Sequence, residues 1–532
     1  MAILGVSWLC AFAIPPVASA ALQPTLSFGT SGEGAGQIQR PGDGSYASDG
    51  DFYLADGENQ RVDVFSSTGV FLFAFGKKVN VATEGDLCTA ASGCQSGTSG
   101  AGAGEFVEPT DVTLLDGDAF VSDFGNDRVS VYTESGEFLR AFGKEVDVSG
   151  GNICTSTSGC RGGEVSGANA AIHGPDGLVA SGGTIFVADS GNNRIDSFTA
   201  AGTFVEAFGK NVGGAGVDVC ASSGVCSAGT AGAAAGTVDR PWSIAATPSG
   251  DLAVAEQSSG RVDLFTAQGT FIRGIAAGVG PAGAGVCTEA TTCREGESGF
   301  GPGALPLPLA VTADAAGNLY VGDGYARRVS EFTEAGAFVR AFGEGVATGA
   351  EAFEVCTSVC RRGLESTQAG STGEPDGMAL NPAGELTVVE YKVQAPGEFF
   401  RVENFGDPAV TPPSTGPTTT PVSPAPIAAP APTTGKFKLG KVVYDKKNGI
   451  ATITVTPVTA GKFVLVGKGV KKVSAAAKAG RATTLRIAAT GKVKKELAKA
   501  GKAKVTVEIT CTPTGGKATT QTVRLTLKKT RG

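Results

Sequence analysis

Two sets of carboxylates in this chain have the types and spacing to do chemistry. The first is Asp56, Asp123, Asp189, Glu256, Asp323 and Glu390, each standing shortly before an arginine: Asp56–Arg61, Asp123–Arg128, Asp189–Arg194, Glu256–Arg261, Asp323–Arg328 and Glu390–Arg401. A ring of six carboxylates would bind a cation. The same pair in every repeat argues against that, because an active site draws special residues from a few repeats. We expect each acid to accept hydrogen bonds from its own turn and to pair with its Arg, pinning a hairpin. The second set is Asp111, Asp176 and Asp376, in Pro-Thr-Asp, Pro-Asp-Gly and Pro-Asp-Gly. They open strands expected to line a central channel. Three carboxylates near one axis suit Ca²⁺, a hard cation that takes oxygen ligands; capping of turns at the strand starts competes with that role. These three are the metal candidates, and no other cofactor is expected.

His173 is the only histidine. One imidazole excludes a His-pair metal site and weakens any Ser–His or Cys–His nucleophile scheme. It precedes Gly174-Pro175 and reads as an ordinary residue before a strand. No catalytic residue is assigned. The Gly-rich stretches lack a Gly-Lys-Ser/Thr ending and a following helix, so they are not phosphate loops.

Ten of the twelve cysteines form five close pairs: Cys88/Cys94, Cys154/Cys160, Cys220/Cys226, Cys287/Cys293 and Cys356/Cys360. Even pairing at matching places of a repeat reads as disulfides formed in an oxidising compartment. Zinc would need four ligands per site, and the chain has one histidine to offer. Of the other two, Cys10 lies near the N-terminus, and Cys511 falls in a strand pattern and reads as a buried thiol.

These residues are positioned by a repeated unit. Thr184–Phe198, TIFVADSGNNRIDSF, is two β-rich runs around a polar turn, a hairpin pattern. Its arginine recurs at 61, 128, 194, 261, 328 and 401, steps of 67, 66, 67, 67 and 73. A near-fixed period means a repeat architecture. Each period holds four short strands, and six such units predict an all-β, six-bladed β-propeller. Repeat six lacks a fourth strand, and Thr25–Gly29 matches the missing one, so the N-terminus is expected to complete the last blade and close the ring. An insert carrying each Cys pair follows strand four. Strand parity places the five Cys rings and the six acid-to-Arg turns on one face.

The pattern P-x-G…N-I-Y-V-A-D-x-x-N-x-R-I…G-x-F-x-x-x-F-G resembles the NHL repeat over about residues 24–406. That resemblance implies a binding propeller. In outline the chain is also similar to the gluconolactonase/paraoxonase group and to peptide-amidating lyases, but the latter rely on histidine-bound zinc. The chain departs from the NHL pattern at Glu256 and Glu390, at Arg240-Pro241-Trp242-Ser243 and Pro308-Leu309-Ala310, which lack the Gly, and in an inserted Ala-Pro-Gly-Glu before Arg401.

The domain plan follows from composition. Residues 1–20 read as a signal peptide ending in Ala18-Ser19-Ala20. Residues 24–406 are the propeller, and 407–434 a Pro/Thr-rich linker, extended at ~3.1 Å per residue. Residues 435–532 alternate polar and apolar residues and read as an Ig-like β-sandwich. This last module holds 19 Lys and 4 Arg against three acids, a net +20, and leaves −27 for the rest. Its few aromatic residues, Phe437, Tyr444 and Phe463, give no base-stacking platform, so no nucleic acid is expected and an anionic envelope polymer is the better partner.

The expectation is a secreted or envelope-associated monomer that binds a protein or glycan through one propeller face, without catalysis. The alternative is a calcium-dependent lactonase- or lyase-like enzyme. Its mark would be unequal, blade-specific polar residues on the first strands, and the repeats read as near-equal.

Overall fold

The computed structural model describes residues 22–394, 397–406, 437–445, 450–457, 461–477, 483–513 and 519–529. The expected signal peptide and linker lie outside them. The chain divides into two compact units, 1–414 and 415–532.

The first unit is all-β, a set of antiparallel sheets arranged as propeller blades. The third sheet is typical: Pro175–Ser181, Thr184–Asp189, Arg194–Thr199, Phe204–Phe208 and the short Val219–Ala221, hydrogen-bonded in that order. Four further sheets repeat this, starting at Pro41, Pro109, Pro241 and Pro308. The sixth starts at Glu374 and takes the N-terminal strand Gln23–Phe28 as its outer member, with Phe28 opposite Val402. First strands of neighbouring sheets touch in sequence, and Glu374–Leu380 touches Pro41–Tyr46. The sheets therefore succeed one another in a circle.

The fifth strand is an addition to the four expected per repeat. It carries the first cysteine of each insert and pairs with strand four, where the residue opposite is always small: Ala74 faces Cys88, Ala141 Cys154, Ala207 Cys220, Gly274 Cys287 and Ala341 Cys356. The second cysteine returns to the first in every insert. Cys88 and Cys94, Cys154 and Cys160, Cys220 and Cys226, Cys287 and Cys293, and Cys356 and Cys360 all stand at disulfide distance, with sulfurs 2.05–2.14 Å apart. The last ring is the shortest, with a sequence separation of 4 against 6 in the others.

Aromatic pairs join adjacent sheets. Phe75 meets Tyr132 at 4.9 Å between ring centroids, Phe142 meets Phe198 at 4.9 Å, and Phe208 meets Phe265 at 5.4 Å. Phe28 makes the equivalent contact with Phe65, at 5.0 Å. The N-terminal strand thus supplies both backbone pairing and the interlocking ring. Burial on both faces explains why Phe52–Asp56 and Arg61–Phe65 are buried at every position.

The second unit consists of two antiparallel sheets. One contains Phe437–Asp445, Ile450–Pro457 and Thr483–Ala488; the other contains Gly461–Val466, Val473–Ala477, Lys502–Pro513 and Thr519–Lys528. Both contribute to one apolar cluster that includes Ile453, Phe463, Leu485, Val507 and Cys511. Cys511 is buried and unpaired with another cysteine. A helix, Gly491–Ala500, precedes the long strand and ends at Gly501, whose φ of +67° is the left-handed conformation that suits glycine at a helix end. No helix among the described residues is long and apolar enough to cross a membrane.

Candidate functional site: the mouth of the axial channel

The repeated arginines are buried; five of them tie lead-in loop and Cys insert to their own hairpin, and Arg401 ties its lead-in loop alone, through Thr367, Gln368 and Ser371. Arg128 donates to the carbonyls of Ala101, Gly102 and Glu105 in the loop leading into its own sheet, and to Arg161, the residue after Cys160. Arg61, Arg194, Arg261 and Arg328 likewise reach the carbonyl following the second cysteine of their insert: Gln95 after Cys94, Ser227 after Cys226, Arg294 after Cys293 and Arg361 after Cys360. The turn carbonyls join in, as the insert amides of Gly163 and Gly296 donate to Asn126 and Ser259. The insert therefore rests on the acid-to-Arg turn, so both lie on one face.

The acids vary more than the sequence pattern suggests. Asp123 and Asp189 lie 2.8 and 3.1 Å from Nε of their arginines, Glu390 3.2 Å, Asp56 3.3 Å and Glu256 3.6 Å. Asp323 instead accepts from the amides of Ala326 and Leu307, leaving Arg328 Nε without a hydrogen-bond partner among the described residues. The expected Asp323–Arg328 ion pair is not formed.

Sequence reasoning missed a second buried acid in four sheets. Asp63, Asp196, Asp263 and Glu403 stand two residues after the arginine and lie 2.7–3.1 Å from it. Sheets two and five carry Ser130 and Ser330 there. Burial pushes Asp56, Asp196 and Glu256 well above the usual carboxylate range, and Asp263 to about 6. One guanidinium cannot offset the desolvation of two carboxylates.

Inside this ring of clamps, the first strands leave a cleft of about 370 Å³ at the channel mouth. It is lined by the acid-to-Arg turns at Gly57, Glu58 and Gln257, so it opens on the face that carries the inserts. The Cys rings themselves stay outside it: neither Cys88–Cys94, Cys154–Cys160, Cys220–Cys226, Cys287–Cys293 nor Cys356–Cys360 contributes to its lining. Their place is structural, behind the arginine clamps. The residue following the opening proline of the first strand takes five types across the six sheets: Gly42, Thr110, Asp176, Trp242, Leu309 and Asp376, with Asp the only type used twice. Trp242 is half-buried at the cleft wall, and Tyr391 adds a second ring.

The three proposed metal acids separate here. Asp176 and Asp376 line the cleft, in sheets three and six of the circle. Asp111 lies one residue farther along its strand and ties a seam: its two oxygens accept the amides of Val112 and Leu178, both at 2.6 Å. Asp43, unrecognised in the sequence, does the same between sheets one and six, accepting from Gly44 and Met378. A bulge near the start of each first strand shifts the register there. The seams are tight: a side chain at Gly42 would run into the carbonyl of Thr110, and one at Gly377 would stand 2.6 Å from Asp43 Cα. Among the described residues, no group of three or more His, Cys, Asp or Glu is placed to hold a metal ion.

Burial raises Asp111, Asp176 and Asp376 each to about 7. Asp176 is nevertheless held by Ser190 Oγ at 2.5 Å. Asp376 has no hydrogen-bond donor to its carboxyl among the described residues, and the charge of Glu374 lifts it further. It is the carboxyl most open to a ligand. His173 is exposed away from the cleft and engages the turn through its backbone: its amide donates to Asp189 at 2.8 Å.

No protein family and no curated protein matches this chain. Among solved structures it is similar to a Bacteroides thetaiotaomicron protein of unknown function, at 12% identity and a TM-score of 0.41 over 73% of this chain and 77% of that one. It is also similar to a streptogramin B lyase, at 11% identity and a TM-score of 0.38 over 73% and 98%. A Xanthomonas campestris gluconolactonase stands at 10% and 0.37 over 73% and 90%. Likeness at this level is taken no further.

Proposed function

We propose that this chain is a secreted or envelope-associated, six-bladed NHL-like propeller with an Ig-like C-terminal sandwich, and that it binds an extracellular glycan at the channel mouth. One observation carries this reading: six equivalent wall positions hold five different residue types, only Asp recurring, while the clamps around them repeat. Repetition serves the scaffold, and inequality serves a ligand that meets each wall once.

The wall chemistry favours a polyhydroxylated chain end. Trp242 offers an apolar ring face with a polar edge. Carboxyl groups near half-protonation at neutral pH, Asp176 and Asp376, both donate and accept hydrogen bonds. A few convergent polar groups in a concave site are the usual form of a small-ligand pocket. Calorimetric titration with soluble oligosaccharides tests this. Saturable binding that Trp242→Ala weakens about tenfold supports it; binding of the whole panel unchanged by that substitution refutes it.

A second reading is favoured by the same inequality, which was the sequence mark of a lactonase- or lyase-like enzyme. Asp176 and Asp376 have values suited to general acid–base exchange near pH 7. Hydrolysis of simple lactones, with and without millimolar Ca²⁺, decides it: turnover lost in Asp376→Asn would place catalysis above binding.

A further inference from the structure

The second unit carries its charge on one side of one sheet. Along Lys502–Pro513 the residues Ala503, Val505, Val507 and Ile509 are buried, and the alternate positions Lys502, Lys504, Thr506 and Glu508 are turned outward. The neighbouring strand Thr519–Lys528 presents Thr520, Thr522, Arg524 and Lys528 on the same side, between buried Leu525 and Leu527. Register brings the cations together. Lys502 stands directly opposite Lys528, and Lys504 opposite Thr526, which makes both Lys528 and Arg524 its diagonal neighbours.

Like charges directly opposite in a sheet destabilise it unless something neutralises them. Nothing among the described residues of the unit does so. None of these four cations has a carboxylate within ion-pair distance among the described residues, although Glu508 is the diagonal neighbour of Arg524. Lys528 lies 5.9 Å from the ring centroid of Tyr444, a contact that leaves its charge in place. With 20 more cations than acids in this module, internal pairing cannot satisfy them.

The pattern also indicates the kind of anion. Lys502 and Lys504 recur at a pitch of about 7 Å, two residues of an extended strand. Between and beyond them lies a strip of hydroxyls, Thr506, Thr510, Thr520, Thr522 and Thr526. Three of the four cations are lysines, compact charges that read an anion without the fixed fork of arginine. Tyr444, beside Lys528, is the exposed ring near these cations, and a single ring makes no stacking platform for nucleobases. The exposed large apolar residue on this side of the sheet is Val466, opposite Glu508, too small a patch for insertion into a lipid surface.

We infer that this sheet face binds a linear polyol-phosphate chain, with the Lys502–Lys528 pair, Lys504 and Arg524 on successive phosphates and the threonines on the intervening hydroxyls. This site is separate in chemistry from the acidic cleft and does not depend on the reading of that cleft.

The test uses the full chain and soluble poly(glycerol phosphate) at 50 and 200 mM NaCl. Binding should weaken with salt by counterion release. The fourfold variant Lys502→Gln, Lys504→Gln, Arg524→Gln, Lys528→Gln should bind at least tenfold more weakly, with the salt slope reduced by about one for each cation removed. A charge-matched control, Lys492→Gln, Lys494→Gln, Lys495→Gln, Lys499→Gln on the helix, should stay within threefold of the parent. A conservative set, Lys502→Arg, Lys504→Arg and Lys528→Arg, should retain binding and guards against a folding defect. Equal loss in the helix control, undiminished binding by the fourfold variant, or no binding at 50 mM salt would overturn the proposal. So would equal affinity for single-stranded DNA of matched charge or for phosphatidylglycerol vesicles.

Discussion

Asp43 accepts the backbone amide of Met378 at 2.9 Å, across the seam between the first and sixth sheets. A second amide, that of Gly44, reaches the same oxygen at 2.7 Å. Residues 335 apart are thereby joined at the channel wall, where the circle of sheets meets itself. Burial, with Asp111 nearby, lifts this carboxyl well above the usual range, yet both amides remain satisfied by it. Asp43→Ala leaves two amides without their acceptor and should cost about 2 kcal/mol. A urea midpoint lowered with unchanged slope would show it; an unchanged midpoint would remove Asp43 from the seam.

Five of the buried arginines, Arg61, Arg128, Arg194, Arg261 and Arg328, join hairpin, lead-in loop and insert. Arg128→Met strips four carbonyls of their donor and leaves Asp123 buried beside no cation. Breaking a buried pair in this way costs about 3–5 kcal/mol. Thermal melting should fall by several degrees more than for Thr110→Val, which removes only a neutral hydroxyl.

The double-acid clamps set a pH dependence. Asp263, with an ordinary value of 3.8, is raised to about 6 by burial despite Arg261. A carboxyl raised on folding means that the native state binds more protons than the unfolded chain between those values. Stability is therefore greatest at the acid side and declines as pH rises through about 6, then levels. Asp263→Ser, which copies Ser130 and Ser330, should flatten that decline by on the order of 2 kcal/mol. Melting curves from pH 4 to 8 on parent and variant measure it; parallel curves would refute it.

The five small rings add stability by limiting the unfolded chain. Replacing Cys220 and Cys226 by alanine should cost about 2 kcal/mol, the loop-closure value for so short a ring. The Arg194 contact with Ser227 would loosen with it, visible as faster amide exchange at Gly229, whose N–H donates to Asn192.

Much of this was legible in the residues. The spacing of Arg61 to Arg401 gave the six units, and Thr25–Gly29 gave the strand that completes the sixth sheet. Strand counting placed Cys rings and acid turns on one face. The fifth strand was hidden because a two-residue segment such as Leu87–Cys88 has no periodicity; it exists through pairing with Ala74 and Phe75. Asp63 and Asp196 were hidden for a different reason. In R-V-D-V-F and R-I-D-S-F they occupy alternating positions that read as solvent-facing, but sheets covered on both sides have no such face. Asp111 was grouped with Asp176 and Asp376, and Asp43 passed over, because a bulge near the start of each first strand makes neighbouring positions point differently. The inequality of Gly42, Thr110, Asp176, Trp242, Leu309 and Asp376 was in plain view, and became meaningful only when register aligned them.

Trp8 and Trp242 are the only tryptophans, so a chain beginning at Ala21 reports the cleft through one indole. Titrating that chain with the oligosaccharide that binds tightest by calorimetry should produce a saturable shift in emission. The midpoint should match the calorimetric one and rise about tenfold in Asp376→Ala. Calorimetric binding with silent Trp242 emission and an unaltered Asp376→Ala midpoint would contradict a ligand site at the channel mouth.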